Sequence, residues 1–371
     1  MKRFLVSISI FTLPLIVFFS IPLYILTVTG EGFKNIESIV SGREKYLIGY
    51  AYNEQNYGYL KYLNIAKSQY NVISAGTSRV LPFTNNMFTA SFYNAGYTIN
   101  IIDDFIPFLE NIPSSKTPDY LIAGLDQPMF NEAWNSSYSI SEKNKWQQSF
   151  YKYPIANTFI NVWKDIINRK YGFKFHTDKN IQYIGINAVV NNTGFRNDGS
   201  MFYGIQIDRL IRNDPSAIDY CFSNTYERIN KGNSRFEYGD SVDVKVMPKL
   251  HELLQYCQNR QIKLVAFLPP YADSVFDRML KSGKYGYIQK IYNCIKPAFD
   301  EFGFEIYDFS SASLCDSNDN EMIDGFHGGE VTYLKILIKM LESESSLSNV
   351  VNKSQLENDL KNKSNNFIIY E

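Results

Sequence analysis

The sequence predicts an α/β fold: a parallel sheet with helices on both faces, carrying a large insertion and preceded by a transmembrane helix. Three observations predict it. Short apolar runs such as Val72-Ile73-Ser74-Ala75-Gly76, Tyr120–Gly124 and Ile262–Leu268 stop at a glycine, a proline or polar residues, as strands buried on both faces do. Stretches of helical periodicity separate them, and strands joined by helical crossovers build a parallel sheet between two helix layers. Ahead of everything, an uncharged apolar run extends from Phe4 to Gly30.

That run follows Met1-Lys2-Arg3 and exceeds the roughly 20 apolar residues needed to cross the hydrocarbon core of a bilayer. No Ala-x-Ala cleavage pattern accompanies it, so an anchor fits better than a cleaved signal peptide, although an atypical signal would export the same domain. Pro14 and Pro22 kink such a helix without excluding a span. Lys2 and Arg3 precede the run, while Glu31 and Glu37 follow it. The positive-inside rule then leaves the N-terminus in the cytoplasm and the rest extracytoplasmic, periplasmic or at the cell surface. An inverted anchor would need the opposite charge order.

Residues 31–68 are Tyr-rich and read as a lead-in helix. The α/β core covers 69–126 and 245–342. Its strands are the run ending at Gly76, Ser91–Gly96, Tyr120–Asp126, Ile262–Leu268 and Phe304–Asp308. Helices are expected at Ile101–Leu109, at Val246–Tyr256 with Leu250, Leu253 and Leu254 on one side, over Asp273–Phe302 with a break near Gly283 and Gly286, and at Glu330–Leu341. Residues 127–244 lack the alternation and read as an insertion or cap holding Trp134, Trp146 and Trp163. The polar tail from Ser343 to Glu371 reads as peripheral or partly disordered.

With 371 residues, 45% hydrophobic and 20% charged, the chain is globular and long enough for two domains or one with insertions. A net charge of -1 gives no signature of a nucleic-acid binder. Cys221, Cys257, Cys294 and Cys315 show neither a CxxC pair nor zinc spacing. They fit two disulfides or four free thiols. No metal-ligand pattern and no phosphate-binding glycine loop is present, so no cofactor is expected.

Chemistry concentrates at two places. Ser78 follows the Gly76 strand end, where ligands of open α/β sheets gather. Among three histidines, His327 stands out because Asp324 lies three residues before it in a glycine-containing loop. A carboxylate at that spacing can fix the imidazole tautomer, and the imidazole can activate a serine that is otherwise a weak nucleophile. His251 lies within an amphipathic helix, and His176 follows no strand end. Read singly, the signals are commonplace: a Thr-Ser pair caps helices, and Asp-x-x-His forms structural ion pairs. Their pairing across the strand-helix alternation is what carries meaning.

This constellation resembles the SGNH (GDSL-like) hydrolase and acyltransferase superfamily. Gly76-Thr77-Ser78-Arg79, Asn94-Ala95-Gly96 and Asp324-Gly325-Phe326-His327 stand in the order of its motifs. The Gly-Thr-Ser-Arg form and the anchor are similar to the branch that acetylates alginate or D-alanylates teichoic acid. The resemblance implies a three-layer α/β/α sandwich with a parallel sheet, flavodoxin-like in layout. It implies Ser78 as nucleophile, His327 as base, Asp324 as its orienting acid, and the amides of Ser78 and Gly96 as the oxyanion hole. Arg79, Asn94, Asp126 and Gln127 are candidate substrate-binding residues; Arg79 suits an anionic group, and equally a solvent-exposed place or a salt bridge. It further implies an envelope polysaccharide or acylated donor as substrate, ester (acetyl) chemistry, and a membrane-bound acyltransferase as partner.

One departure is plain. The superfamily has an Asn after the third strand that completes the oxyanion hole, whereas this chain reads Gly124-Leu125-Asp126-Gln127. Loss of such a donor costs about 100- to 1000-fold in rate. Gln127, Asn131, another group or two backbone amides would have to serve, or turnover is slow. A protein that keeps the fold for glycan or partner binding without catalysis is the alternative that this departure favours.

Overall fold

A computed structural model of the chain describes residues 1–31, 35–42, 44–138, 145–147, 156–172 and 175–370. Among them are nine strands: β1 (Lys45–Ile48), β2 (Val72–Gly76), β3 (Phe92–Gly96), β4 (Tyr120–Gly124), β5 (Ile181–Ile184), β6 (Gly194–Phe195), β7 (Met201–Phe202), β8 (Lys263–Leu268) and β9 (Glu305–Asp308). The chain divides into two compact units. One comprises Met1–Leu60, Ser149–Asn197 and Met201–Ile205; the other comprises Lys61–Gln148, Asp198–Ser200 and Gln206–Glu371.

The second unit is built on a parallel sheet of order β3-β2-β4-β8-β9. Its five strands are the five expected. In order of appearance they run 2-1-3-4-5, a common order of doubly wound sheets, with the topological switch point between β2 and β4. β2, β3 and β4 are buried at every position, which is why they read as apolar runs without polar alternation. Alternate residues enter two separate cores. Ile73, Ala75, Tyr93, Leu121 and Leu264 join Leu250, Leu253 and Leu254 of the helix Val246–Asn259 and Ile291 of the helix Ile288–Phe302. Val72, Phe92, Ile122, Val265 and Phe267 instead meet Tyr333, Leu334 and Leu337 of the helix Glu330–Glu342. The break foreseen near Gly283 falls after Lys281, with Gly283 in the left-handed region at φ +69°.

The polar tail is not peripheral. Residues Lys353–Lys361 form a helix, and Leu347 and Leu356 are 0% and 1% exposed in the core beneath the Glu330–Glu342 helix. The Glu330 carboxylate accepts the amides of Ile369 and Tyr370 at 2.8 and 2.9 Å. Few but well-placed apolar residues anchor a segment whose average composition is polar.

The first unit contains the apolar helix Lys2–Val28, long and apolar enough to cross a membrane. It also contains a mixed sheet of order β5-β1-β6-β7. Here β1, from the expected lead-in segment, pairs in parallel with β5 and antiparallel with β6. The lead-in segment is therefore more than a helix, and residues 127–244 are not one cap. They contribute β5, β6, β7 and the helices Ala156–Ile167 and Ile186–Asn191 to this unit, and 127–148, 198–200 and 206–244 to the other. Strands of two residues, as β6 and β7 are, are too short to show a period in sequence.

Candidate active site

Ser78 opens a short 3-10 turn, Ser78–Val80, directly after β2. Its neighbour Thr77 does the capping: Thr77 Oγ1 accepts the Arg79 amide at 3.1 Å and donates to Asp126 Oδ2 at 2.7 Å. Capping is thus taken by the threonine, and the serine hydroxyl is left for other work. Ser78 Oγ lies 2.8 Å from His327 Nε2. His327 Nδ1 lies 2.7 Å from Asp324 Oδ2. With Nδ1–H donating to the carboxylate, Nε2 is the acceptor of the serine proton. The three side chains lie 249 residues apart at their extremes and meet as the sequence predicts.

The loop holding the Asp-His pair is over-determined. Asp324 Oδ1 accepts the amides of Phe326 and His327 at 2.9 and 2.8 Å. Ile323 N–H donates to the His327 carbonyl at 2.7 Å, and Gly325 N–H donates to Asp219 Oδ2 at 3.1 Å. A Cβ on Gly325 would sit 2.6 Å from Thr225, so only glycine fits the close approach. Burial by itself raises the Asp324 pKa. The charge and hydrogen bond of His327 and the two backbone amides outweigh it and hold the carboxyl below its ordinary value. Ser78 and His327 are half-buried, with the His327 side chain 15% exposed. Such a relay can carry a proton off the hydroxyl and return it to a leaving group.

Other predicted site residues are used differently. The Gly96 amide donates to Asn94 Oδ1 at 2.8 Å, so it is already engaged and is not a free oxyanion donor. Asn94 is fully buried, and its Nδ2 donates to the carbonyls of Val80 and Phe83 at 2.8 and 2.9 Å. It braces the turn that follows Ser78 and faces no ligand. Among the described residues nothing accepts the Ser78 amide, which leaves it available to an oxyanion.

Arg79 is not a substrate cation. It is 1% exposed, with Nε on the Phe326 carbonyl at 2.9 Å, Nη1 on Gln127 Oε1 at 2.7 Å and Nη2 on the Pro269 carbonyl at 2.7 Å. Its guanidinium stands 4.4 Å from the Tyr271 ring centre. A planar five-donor group suits this role, and it ties the Ser78 turn to the loop of His327. Gln127 is spent on Arg79, Pro269 and Ser310. Asn131 caps Ala133 and Trp134 and donates to two carbonyls. Asp126 is 1% exposed between Thr77, Arg79 and Arg235. Neither Gln127 nor Asn131 is free to replace the missing Asn.

Sequence reasoning missed two arginines in the assumed cap. Arg235 Nη1 lies 3.5 Å from Asp126 Oδ2, and its guanidinium stands 5.1 Å from the Trp134 ring. Arg228 stands 5.5 Å from the ring of Phe326, the residue next to His327. Both are half-buried, and among the described residues no carboxylate pairs with Arg228. Ser234 and Arg235 are consecutive left-handed residues at φ +55° and +80°, a strained backbone of the type that gathers at functional sites. The basic, aromatic run Tyr226–Phe236 was the available signal. Of the tryptophans, Trp146 is core at 1% exposure, and Trp134 carries Arg235 on its face. His251 lies on a helix surface beside Glu301 at 3.5 Å. All four cysteines are free thiols.

No protein-family model matches this chain, and no curated protein matches it in sequence.

Proposed function

We propose a serine-dependent acyl transfer of the SGNH type, carried out by a membrane-anchored protein on ester groups of a cell-envelope polysaccharide. The α/β/α three-layer arrangement of that superfamily is the fold reading that accompanies it. Ser78 Oγ attacks the ester carbonyl carbon while His327 Nε2 takes its proton, and Asp324 stabilises the imidazolium. The tetrahedral oxyanion is held by the Ser78 amide. Collapse breaks the bond to the alcohol, which leaves with the proton from His327, and the acyl group remains on Ser78. A sugar hydroxyl or water, deprotonated by His327, then takes the acyl group and restores the serine. Acetyl and glycan come from the resemblance, as do the extracytoplasmic placement and a membrane-bound acyltransferase as supplier of acyl groups.

The observation that carries this reading is the chain of contacts at 2.8 and 2.7 Å from Ser78 through His327 to Asp324. Arg228, over the ring of Phe326 beside His327 and without a carboxylate partner among the described residues, favours a substrate with a negative charge near the ester, the role first expected of Arg79. Replacing Ser78 by Ala should abolish p-nitrophenyl acetate turnover and labelling by a fluorophosphonate probe. Labelling equal to wild type in that variant would end the proposal.

One observation favours a second reading. With Gly96, Gln127 and Asn131 all committed, the Ser78 amide is the one oxyanion donor left of those proposed. A non-catalytic glycan-binding protein would tolerate that, and glycan binding unaffected at Ser78 without turnover would select it.

A further inference from the structure

A separate feature lies in the unit that contains the apolar helix Lys2–Val28. The helix Ala156–Ile167 runs against it. Trp163 Nε1 donates to the Phe18 carbonyl at 2.9 Å, the two rings stack at 6.3 Å, and Phe159 meets Phe19 at 5.5 Å. The Phe18 carbonyl is special because its partner four residues on is Pro22, which has no N–H. The tryptophan supplies the donor that the proline removed. An orphan carbonyl costs several kcal/mol in hydrocarbon, so this pairing is one that a membrane setting demands.

Toward Val28 the walls enclose a cavity of about 610 Å³, lined by Tyr24, Ile25, Val28, Val162, Ile166 and Val190 among others. Thr29, Tyr52, Asp165 and Arg169 are part of its polar lining. Tyr52 Oη donates to Asp165 at 2.6 Å, and Arg169, exposed, belongs to the lining with no carboxylate partner among the described residues. The end of the anchor is fixed: Glu31 accepts the amides of Ala51, Tyr52 and Ile186 at 2.8 to 3.0 Å, and Gly185 N–H donates to the Thr29 carbonyl at 2.7 Å. The cavity is thus a built feature of the fold and not a gap between loosely tied helices.

Its level follows from helix geometry. Counting from Lys2 and Arg3 at one surface, a hydrocarbon core of about 30 Å is crossed in about 20 residues. The far boundary then falls near Tyr24, an aromatic of the type that gathers at membrane interfaces. Phe18 and Phe19 lie roughly 8 Å inside it, the depth at which interfacial helices settle. Ile160 and Ile167 on the second helix are 41% and 74% exposed and suited to acyl chains, while Ile166, 39% exposed, lines the cavity.

We propose that the helix Ala156–Ile167 sits in the leaflet nearest the anchor's C-terminal end, and that the cavity, which begins at the level of Tyr24 and extends about 6 Å beyond it toward Val28, takes the headgroup-proximal part of one acyl chain of a phospholipid from that leaflet. The volume lies within the range of small-ligand sites, the lining is aliphatic, and Arg169 offers a cation to the headgroup phosphate. The inference is independent of the chemistry assigned to Ser78.

The test uses the full chain in nanodiscs of phosphatidylglycerol and phosphatidylcholine, with a trace of phosphatidylcholine bearing a diazirine in one acyl chain. Bulk lipid will label the anchor helix in any case. The diagnostic peptide is the one containing Ile186 and Val190, which are 2% and 7% exposed and are reached from inside the cavity. We expect photolabelling there, lost when Ile166→Trp or Val190→Trp fills the space, with anchor labelling unchanged. Ile166 is at the rim, so that variant keeps the fold where Val190→Trp fails to. An unlabelled Ile186–Val190 peptide beside a labelled anchor overturns the proposal. So does a protein-protein crosslink at these residues, which would assign the cavity to a second copy.

Discussion

Replacing Asp324 by Asn tests the proposed base most sharply, because the change is nearly isosteric and its consequence is tautomeric. The carboxylate holds three hydrogen bonds: Oδ1 takes the amides of Phe326 and His327, and Oδ2 faces His327 Nδ1. An Asn side chain keeps its oxygen on the two amides and turns its NH2 toward Nδ1. The imidazole must then accept at Nδ1 and carry its proton on Nε2, which points at Ser78 Oγ 2.8 Å away. A protonated Nε2 cannot take the serine proton. Exchanges of this kind in Ser-His-Asp sites lower kcat about 10⁴-fold, equivalent to about 5 kcal/mol on the barrier. The same variant has a signature in stability. Since the folded Asp324 pKa lies below its usual value, this group adds stability above the unfolded value of about 4, and that increment is lost as pH falls through the folded pKa. Wild type should therefore lose more stability on acidification below about pH 4 than the Asn variant. Steady-state p-nitrophenyl acetate turnover and thermal unfolding across pH check both. A folded Asp324→Asn protein within about tenfold of wild-type kcat would refute the tautomer argument.

Two further outcomes follow from the packing. Arg228→Gln should raise KM for an ester carrying a carboxylate while leaving kcat for neutral p-nitrophenyl acetate near wild type, because the guanidinium stands over the Phe326 ring with no carboxylate partner among the described residues; equal losses on both esters would remove it from substrate recognition. Leu356→Ala, at a position 1% exposed in the tail, should cost about 2–5 kcal/mol in urea unfolding. A neutral result would return the tail to the periphery.

The parallel sheet was legible because its strands are buried on both faces and end at residues that break the run. Ser78, Asp324 and His327 were legible because chain order and strand ends constrain where they can meet. What escaped depends on partners far away in the chain. β1 is an unremarkable KYLI segment until Ile181–Ile184 pairs with it. Arg79 looked like a free cation because sequence carries no record of the three acceptors that enclose it. The Gly96 amide looked available because the Asn94 side chain two residues earlier could not be seen to turn back on it. The tail was misjudged by average composition, when a few apolar residues, Leu347, Val350, Val351 and Leu356 among them, bury it.

The departure at Asp126 reads differently once its neighbours are known. A buried carboxylate near a forming oxyanion is repulsive, and unit charges 4 Å apart interact by about 4 kcal/mol at an effective dielectric of 20. Two guanidinium groups offset it, Arg79 at 4.0 Å and Arg235 at 3.5 Å. Within that cluster of one carboxylate and two guanidinium groups, Asp126 accepts the Thr77 hydroxyl at 2.7 Å, which fixes the turn that carries Ser78. An acid at this position is therefore coherent only in company with both arginines. Arg79 adjoins Ser78 in sequence, while Arg235 arrives from a segment that no local reading would connect to it. The charge balance beside the serine is a property of the assembled unit, and it ties the nucleophile's turn to a cation, Arg235, far along the chain from Arg79.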